Sequence, residues 1–366
     1  MNKKLNIIAG PCSAESLDQC LSTAKQLSES GISIFRAGVW KPRTKPGGFE
    51  GIGEPALNWL RIVRNNTGMK VGCEVANKEQ VSLALMYNLD YIWIGARTVT
   101  DPFAVQEISD EISRIMKSRT GRVMKEYFNN FTILVKNPVC PDYDLWIGAI
   151  ERIKNCGVKN IGAIFRGFKT YSKSKYRNEP IWDIPLRLIV EHPEIPIYCD
   201  PSHISGNREY IQEICDEAIE YGFNGLMIES HCEPDEAWTD ASQQLAPSDL
   251  KDLIARIPSS SSSIISNDGK QKLQKYRKEI NSIDKNLIHD IIRRMVYAIE
   301  IGKIKASQGM EVYQKDRWSK VLKNIFNEAS QYTIYSENKE QFDYLIEEIW
   351  NSIHSTSCKL QIKNNK

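Results

Sequence analysis

The first 257 residues alternate short apolar segments, rich in β-branched residues, with longer segments whose apolar positions recur every three or four residues. The short segments predict strands at Leu5–Pro11, Ile32–Trp40, Lys70–Val75, Tyr91–Ala96, Phe131–Asn137, Asn160–Gly167, Ile195–Asp200 and Gly225–Ser230. Helical periodicity lies between them, for example over 16–29, 78–87 and 207–221. Strands that alternate with helices predict a parallel sheet. Eight such units in about 250 residues favour a (β/α)8 TIM barrel, with a doubly wound open sheet as the alternative.

The rest of the chain has a different pattern. Five consecutive serines at 259–263, followed by Ser-Asn-Asp-Gly at 266–269, predict a flexible linker over 258–269. The linker separates a barrel domain at 1–257 from a domain at 270–366, where helical spacing predicts helices over 270–304, 318–330 and 340–353. Three helices, the first about 50 Å long, are too few and too long for one compact monomer. We therefore expect an all-α domain that forms a homodimer or a higher assembly.

Composition narrows the choice of partners and compartment. Lys and Arg number 48 against 46 Asp and Glu, a net charge of +2 that provides no bulk field for nucleic acid or anionic lipid. The mean hydropathy is −0.41, and no apolar run approaches the roughly 18 residues of a membrane span. Nine cysteines at irregular spacing, with no CxxC pair, are typical of reduced thiols. These features predict a cytoplasmic protein that binds neither nucleic acid nor membrane.

Four residues with metal-binding side chains follow neighbouring strands of the predicted barrel. Cys12 follows strand one, His203 follows strand seven, Glu229 ends strand eight, and Asp240 lies in the next loop. A TIM barrel carries its active site at the carboxyl ends of its strands, and strand eight neighbours strand one. Each residue alone has an ordinary structural explanation, but together their mixed sulfur, nitrogen and oxygen donors indicate one divalent metal ion, Mn, Fe, Co or Zn.

The other strand ends carry six cations, a set consisting of Arg36, Lys41, Arg43, Arg97, Lys136 and Arg166. Several like charges are unfavourable in one mouth unless an anion compensates them. Guanidinium groups match the oxygens of phosphates and carboxylates, so we expect one or two phosphorylated small metabolites as ligands. The alternative is a set of surface cations in salt bridges. Glu74, at the end of strand three, is expected to orient one of the cations or to carry a proton.

Five motifs in order resemble those of 3-deoxy-D-arabino-heptulosonate 7-phosphate (DAHP) synthase, in its compact type I branch of the β subgroup. They are AGPCSAES at 9–16, KPRT at 41–44, IGAR at 94–97, CDPSH at 199–203, and the run that contains Glu229, Asp240 and Gln243. The resemblance covers roughly residues 5–250. It implies that Cys12, His203, Glu229 and Asp240 bind the divalent metal.

The same resemblance implies a reaction and its binding residues. Phosphoenolpyruvate and erythrose 4-phosphate would condense in an aldol-type step to give DAHP and phosphate, with the metal as a Lewis acid on the aldehyde oxygen. Arg97, Lys136 and Arg166 would hold phosphoenolpyruvate, and Lys41 would lie between the two substrates. The phosphate of erythrose 4-phosphate would be held by Arg43 and Thr44.

The helical domain resembles the all-helical chorismate mutases. The likeness rests on Arg277-x6-Asp284, Arg293-Arg294, Ile301–Lys305, Asp316-Arg317 and Ser357-x3-Gln361. It implies that Arg277 and Arg294 hold the two carboxylates of chorismate, that Lys305 and Gln361 donate to its ether oxygen, and that prephenate is the product. Arg317 and Ser357 are further expected contacts. The chain departs from the family at Gln314 and Trp318, where acidic residues are common.

Helix geometry adds an argument for assembly. Arg294 and Lys305 are eleven positions apart, close to three full turns, and share a face. Arg277 lies about 25 Å away along the same helix, so one small ligand cannot contact both arginines of one chain. A partner chain is therefore expected to supply Arg277 to a shared site.

Three readings of the helical domain stay open from the sequence. It could be an active mutase, a regulatory module that binds chorismate or prephenate, or only a dimerisation element. We expect feedback inhibition of the barrel through this domain, because the linker would let it dock on the barrel. Another metal-dependent aldolase on the same barrel is the remaining alternative for the first domain.

Overall fold

The structure is a computed structural model that describes residues 5–41, 47–118, 121–171, 174–257 and 267–363, with the backbone alone at 267–275 and 277. The chain divides into two compact units, Met1–Ser262 and Ser263–Lys366. No helix within the described ranges combines the length and apolar composition needed to cross a membrane.

The first unit is a closed barrel of eight parallel strands in sequential order. The strands are β1 Asn6–Gly10, β2 Ile34–Arg36, β3 Lys70–Val75, β4 Tyr91–Ile94, β5 Thr132–Lys136, β6 Asn160–Phe165, β7 Ile197–Cys199 and β8 Gly225–Glu229. β8 pairs with β1 and closes the sheet, with Gly10 opposite Glu229. The predicted barrel is confirmed, and the open doubly wound sheet is excluded because an open sheet leaves its edge strands unpaired.

Several strands are shorter than the apolar segments that predicted them. β7 begins at Ile197 because Pro196 has no N–H to donate to a neighbouring strand. It ends at Cys199 because the side chain of Asp200 accepts a hydrogen bond from the His203 N–H and caps the next helix. The short strands still deliver the predicted residues to one end of the barrel.

Successive side chains along each strand pack on opposite faces of the sheet, one inside the barrel and one outside it. The barrel interior is filled by six buried side chains, Ile8, Tyr91, Trp93, Leu134, Ile164 and Met227. The opposite face of β4 carries Ile92 and Ile94, which join the larger apolar cluster. This alternation follows from the two-residue period of a strand.

Ten helices accompany the barrel strands within the described ranges. They are α1 Leu17–Glu29, α2 Glu54–Thr67, α3 Lys78–Met86, α4 Pro102–Ser118, α5 Arg122–Asn130, α6 Tyr143–Lys154, α7 Asp183–Glu191, α8 Pro201–Ser205, α9 Ile211–Glu220 and α10 Pro247–Arg256. Side chains of Ser16, Asn77 and Asp142 cap the amino ends of α1, α3 and α6. Such caps satisfy N–H groups that a helix leaves unpaired.

The second unit is helical, as predicted, and its helices are longer than the periodic segments. They are α11 Asn267–Ser307, α12 Lys315–Ala329, α13 Thr333–Glu337 and α14 Lys339–Lys363. α11 begins within the predicted linker, whose residues 258–266 lie outside the described part of the chain. It ends before Gly309, whose φ of 64° suits a glycine after a helix. α14 runs ten residues past its predicted end and carries Ser357 and Gln361.

Candidate active sites

Three of the predicted metal ligands meet at the carboxyl end of the barrel. Cys12 follows β1, Glu229 ends β8, and Asp240 lies in the loop after β8. One donor atom from each lies within 4.8 Å of the donor atoms of the other two. The Cys12 thiol donates a hydrogen bond to Asp240 Oδ2 at 3.2 Å. The closure of β8 on β1 therefore brings together three of the four residues that the strand ends pointed to.

His203 lies beside this cluster, on the side of Glu229. Its Nε2 is 3.8 Å from Glu229 Oε1, and its Nδ1 is 2.9 Å from Asp200 Oδ2. Burial lowers the pKa of His203 by more than the neighbouring carboxylate of Asp200 raises it. The neutral form of the ring is therefore favoured. With Nδ1 occupied by Asp200, Nε2 is the nitrogen that faces the cluster, which is the usual arrangement of a metal-binding histidine.

The thiol of Cys12 is fully buried, and the Lys41 ammonium lies 2.8 Å from its sulfur. Burial and the charge of Glu229 raise the pKa of Cys12 to about 12, although Lys41 acts in the opposite direction. Glu229 Oε1 is also buried and receives no hydrogen bond from any described residue. A divalent transition metal would satisfy this oxygen and displace the thiol proton, so the donor set fits such an ion.

Glu229 is held from two sides. Arg36 Nη2 lies 3.2 Å from Glu229 Oε1, and Gln243 Nε2 donates to Oε2 at 2.7 Å. Arg36 is only 2% exposed, and its guanidinium carbon lies 5.0 Å from the ring centroid of Trp93. Arg36 is expected from the sequence to bind substrate. In the structure it contacts Glu229, which is a candidate metal ligand.

Lys136 ends β5, whereas Arg166 follows β6 and Arg97 follows β4. Lys136 Nζ lies 2.9 Å from Asp200 Oδ2 in a fully buried pair. Arg166 Nη1 donates to Asn178 Oδ1 at 2.8 Å, while Arg97 is exposed. Burial lowers the pKa of Arg166 to about 10, and the charges of Arg177 and Arg97 act in the same direction. Mutually repelling cations at one mouth favour an anionic ligand.

Glu74 is fixed at the end of β3 by a neighbouring strand. Its Oε2 accepts a hydrogen bond from Trp93 Nε1 at 2.8 Å. Gly95 provides the space, because a Cβ at that position would lie 2.2 Å from Glu74 Oε1. The charge of Glu74 raises the pKa of Arg166, an effect smaller than the lowering by burial.

Two residues of this site escaped the sequence analysis, and two predicted ones cannot be placed. Arg177 Nη1 donates both to Asp240 Oδ1 at 2.9 Å and to Gln243 Oε1 at 2.7 Å. Asp200 joins His203 to Lys136, and those two groups hold its pKa well below the usual value although burial opposes ionisation. The sequence signals were weak, because Arg177 lies twelve residues beyond the end of β6. Arg43 and Thr44 lie outside the described residues.

The helical unit contains a cavity of 310 Å³. Its lining is Arg294, Tyr297, Ala298, Ile301, Lys305, Val312, Gln314, Arg317, Trp318, Val321, His354, Ser357 and Gln361. The described lining thus holds three cations and no carboxylate, and it brings together the predicted residues of the tail, Arg294, Lys305, Arg317, Ser357 and Gln361. The side chain of Arg277 lies outside the described residues.

Within the described part of the chain, the groups that line this cavity have neutral partners or none. Arg294 Nη1 donates to Ser357 Oγ at 2.8 Å, and Lys305 Nζ donates to the Val312 carbonyl at 2.7 Å. Burial lowers the pKa of Arg294. Gln361 Oε1 is buried and has no hydrogen-bond partner among the residues that the structure describes. Two cations without a carboxylate partner are arranged as in a site for a dianion.

Trp318, at one of the positions where the chain departs from the mutase pattern, stacks on His354. The ring centroids are 4.0 Å apart and the planes differ by 9°. Burial lowers the pKa of His354, and the charges of Arg294 and Lys305 lower it further. An aromatic pair therefore forms one wall of the cationic cavity.

Together the two units define a two-domain enzyme with one candidate active site in each. The barrel matches the model of the DAHP synthetase I family over residues 1–261, and the helical unit matches chorismate mutase type II over residues 276–362. The chain therefore belongs to the DAHP synthetase I family and carries a C-terminal chorismate mutase domain. This is the architecture of a bifunctional enzyme of the shikimate pathway.

Individual relatives agree with the barrel assignment. A phospho-2-dehydro-3-deoxyheptonate aldolase of Thermotoga maritima is 32% identical over 253 residues, which is 69% of each chain. A 2-dehydro-3-deoxyphosphooctonate aldolase of Helicobacter acinonychis is 25% identical over 281 residues, covering 69% of this chain and 93% of that one. The crystal structure of a Thermotoga maritima DAHP synthase superposes with a TM-score of 0.60 at 28% identity, covering 73% of this chain and 71% of that one.

Proposed function

We propose that the barrel condenses phosphoenolpyruvate with erythrose 4-phosphate to give DAHP and phosphate, and that the helical domain converts chorismate to prephenate. The observation that carries the first part is the convergence of Cys12, Glu229 and Asp240 with His203 beside them, next to cations at the same mouth. The observation that carries the second is the cationic cavity with no lining carboxylate among the described residues.

In the barrel, one divalent ion (Mn, Fe, Co or Zn) would be held by Cys12, His203, Glu229 and Asp240. Such an ion supplies Lewis-acid polarisation of an aldehyde oxygen when bound. Arg36 and Gln243 orient Glu229, and Asp200 orients His203. These contacts fix the ligands before the ion arrives.

The cations of the mouth bind and orient the substrates in this proposal. Arg97, Lys136 and Arg166 bind the carboxylate and phosphate of phosphoenolpyruvate, and Glu74 orients Arg166. Lys41 lies between the two substrates, where its ammonium is already directed at Cys12. Arg43 and Thr44 bind the phosphate of erythrose 4-phosphate. Fixed positive groups that compensate charge on both substrates bring the reacting carbons together and stabilise the charge that develops.

In the helical domain, Arg294 and a partner chain's Arg277 bind the two carboxylates of chorismate. Lys305 and Gln361 donate to the ether oxygen whose bond breaks, and Arg317 and Ser357 complete the binding site. The rearrangement needs no covalent catalyst, because holding the reactive conformer and stabilising charge on the ether oxygen are sufficient.

A homodimer through α11 follows from the same proposal. Apolar residues remain exposed along this helix at spacings of three and four, namely Tyr276, Ile280, Ile283 and Leu287. A second copy would cover such a stripe. The free cysteines and the biosynthetic family support a cytoplasmic location.

The alternative for the helical domain is a regulatory module that binds chorismate or prephenate without turning it over. The Trp318–His354 stack, at a position where the family often has acidic residues, favours this alternative. Feedback inhibition of the barrel by prephenate is part of either version, and unchanged synthase activity in the presence of prephenate would refute it.

The deciding experiment follows chorismate consumption by the purified full-length chain and by Arg294→Ala. Arg293→Ala is the matched control, because Arg293 is exposed and pairs with Asp290. Conversion to prephenate that is lost only in Arg294→Ala establishes the mutase. No conversion, with prephenate still bound, establishes the regulatory module.

A further inference from the structure

His354 is placed among groups that make its charge depend on what occupies the helical cavity. It lies on α14, lines the cavity, and stacks on Trp318 of α12. Its Nε2 is 3.8 Å from the sulfur of Cys358 on the same helix, and the Tyr313 ring lies 5.7 Å from its own. The stack fixes the plane of the imidazole, so the ring has a defined orientation.

The charged groups around the ring are cations. Arg294 and Lys305 face it from α11, and Arg317 of α12 lines the same cavity. The other titratable groups near it are the phenols of Tyr297 and Tyr313 and the thiol of Cys358. No Asp or Glu is among the described residues of the lining. An empty cavity therefore opposes protonation of the imidazole.

We propose that His354 is a further binding residue of this cavity, which takes up a proton when a cyclic dicarboxylate enters and then acts as an additional cation toward it. The inference rests on the proposed dicarboxylate site of the helical domain. A bound dicarboxylate, with one carboxylate on Arg294, would compensate the positive charges that now repel an imidazolium. Histidine is suited to this role because its unperturbed pKa, about 6.5, lies close to physiological pH.

Trp318 gives the imidazole its position in this proposal. Its indole ring lies nearly parallel to the imidazole, in the arrangement that favours a cation over an aromatic face. The residue at 318 therefore supports the charged form of His354 once the repulsion is compensated. This gives Trp318 a role in dicarboxylate recognition that differs from that of an acidic side chain.

The test measures proton uptake on binding by isothermal titration of the full-length chain with prephenate. Prephenate is used because an active mutase would turn chorismate over. Titrations in buffers of different ionisation enthalpy, near pH 7, give the number of protons taken up per site. For a single linked proton, the affinity rises by up to about tenfold for each unit by which pH falls between the free and bound pKa values of the group.

Three variants separate the role of His354 from a structural one. His354→Phe retains an aromatic partner for Trp318 but cannot titrate, and His354→Gln retains a polar side chain. His289→Gln removes an exposed histidine of α11 as the matched control. We expect proton uptake in the native chain and in His289→Gln, and none in either His354 variant, with an affinity that no longer varies with pH.

The outcomes distinguish the two proposals. Prephenate binding without proton uptake, or with uptake that persists in both His354 variants, overturns the role of His354 and leaves the dicarboxylate site intact. No binding of prephenate and no conversion of chorismate overturn the proposed site itself and the inference with it.

Discussion

The ammonium nitrogen of Lys41 lies 2.8 Å from the sulfur of Cys12, and 3.2 Å from the carbonyl oxygen of the same residue. Both the side chain and the backbone carbonyl of Cys12 therefore hold the Lys41 ammonium. Burial and the charge of Glu229 raise the pKa of Cys12 by more than the Lys41 contact lowers it, so the thiol stays protonated until a metal ion binds.

Metal binding should release the Cys12 proton. Burial raises the pKa of the Cys12 thiol to about 12, and a metal ion takes the thiolate, so the affinity for Mn²⁺ should rise with pH throughout the neutral range. Titration of the metal-free chain with Mn²⁺ in buffers of different ionisation enthalpy measures the release. Cys12→Ser should lose it and bind Mn²⁺ much more weakly, whereas Cys140→Ser, at an exposed cysteine, should behave as the native chain. Undiminished release in Cys12→Ser would contradict the assignment.

Arg177→Gln should weaken metal binding by about 10- to 100-fold, the usual effect of losing a group that orients a ligand. Its guanidinium links Asp240 to Gln243, which in turn holds Glu229. Equilibrium dialysis of Mn²⁺ against the variant measures the loss. Arg187→Gln removes an exposed pair with Glu191 and serves as the control. Equal affinity in both variants would show that the Arg177 contacts do not orient the site.

Gly95→Ala should raise the KM for phosphoenolpyruvate. The added Cβ would lie 2.2 Å from Glu74 Oε1, so the carboxylate that Trp93 holds must leave its position. Gly148→Ala is the matched control, because it lies within α6 with no atom within 4 Å of the added Cβ. That control should leave KM unchanged and stabilise the helix by about 0.5–1 kcal/mol. A native KM in Gly95→Ala would mean that Glu74 does not act on substrate binding.

Gly302→Ala should suppress chorismate conversion while leaving DAHP synthesis in place. An added Cβ would lie 2.8 Å from Gln361 Cγ and 3.0 Å from its Cα, so α11 and α14 must separate. Overpacking of this kind costs about 1–3 kcal/mol, more than the gain from replacing a helical glycine. Parallel assays of both reactions on one preparation check the prediction. Native chorismate conversion in the variant would show that Gln361 is not needed at that position.

The sequence predicted all eight strands and the ends that carry the chemistry, because each strand places its last polar residue at the same end of a closed barrel. Strand order alone predicted that Cys12 and Glu229 lie close together, and they do. The limits of the strands were less predictable. Pro196 and the capping side chain of Asp200 shorten β7 through single hydrogen bonds that an apolar pattern does not report.

Contacts between side chains that lie far apart in the sequence could not be predicted from it. Arg177 reaches Asp240 and Gln243 from 63 and 66 positions away, and no local pattern encodes such a distance. The stack of Trp318 on His354 likewise joins two helices whose separate periodicities say nothing of their relative rotation. Periodicity predicts which face of a helix is apolar, whereas the partner of a polar side chain depends on the packed fold.

Closure of the barrel has a consequence for how the protein is made. β1 pairs with β8, and this pairing brings Cys12 to Glu229 from the other end of the domain. A growing chain that has not yet released β8 holds only part of the donor set, so the complete site forms after the last strand has joined the first. Metal that binds the finished site and not the open sheet adds its binding free energy to the closed state. With the proposed metal site, the supply of metal would then affect the stability of the closed barrel as well as its activity.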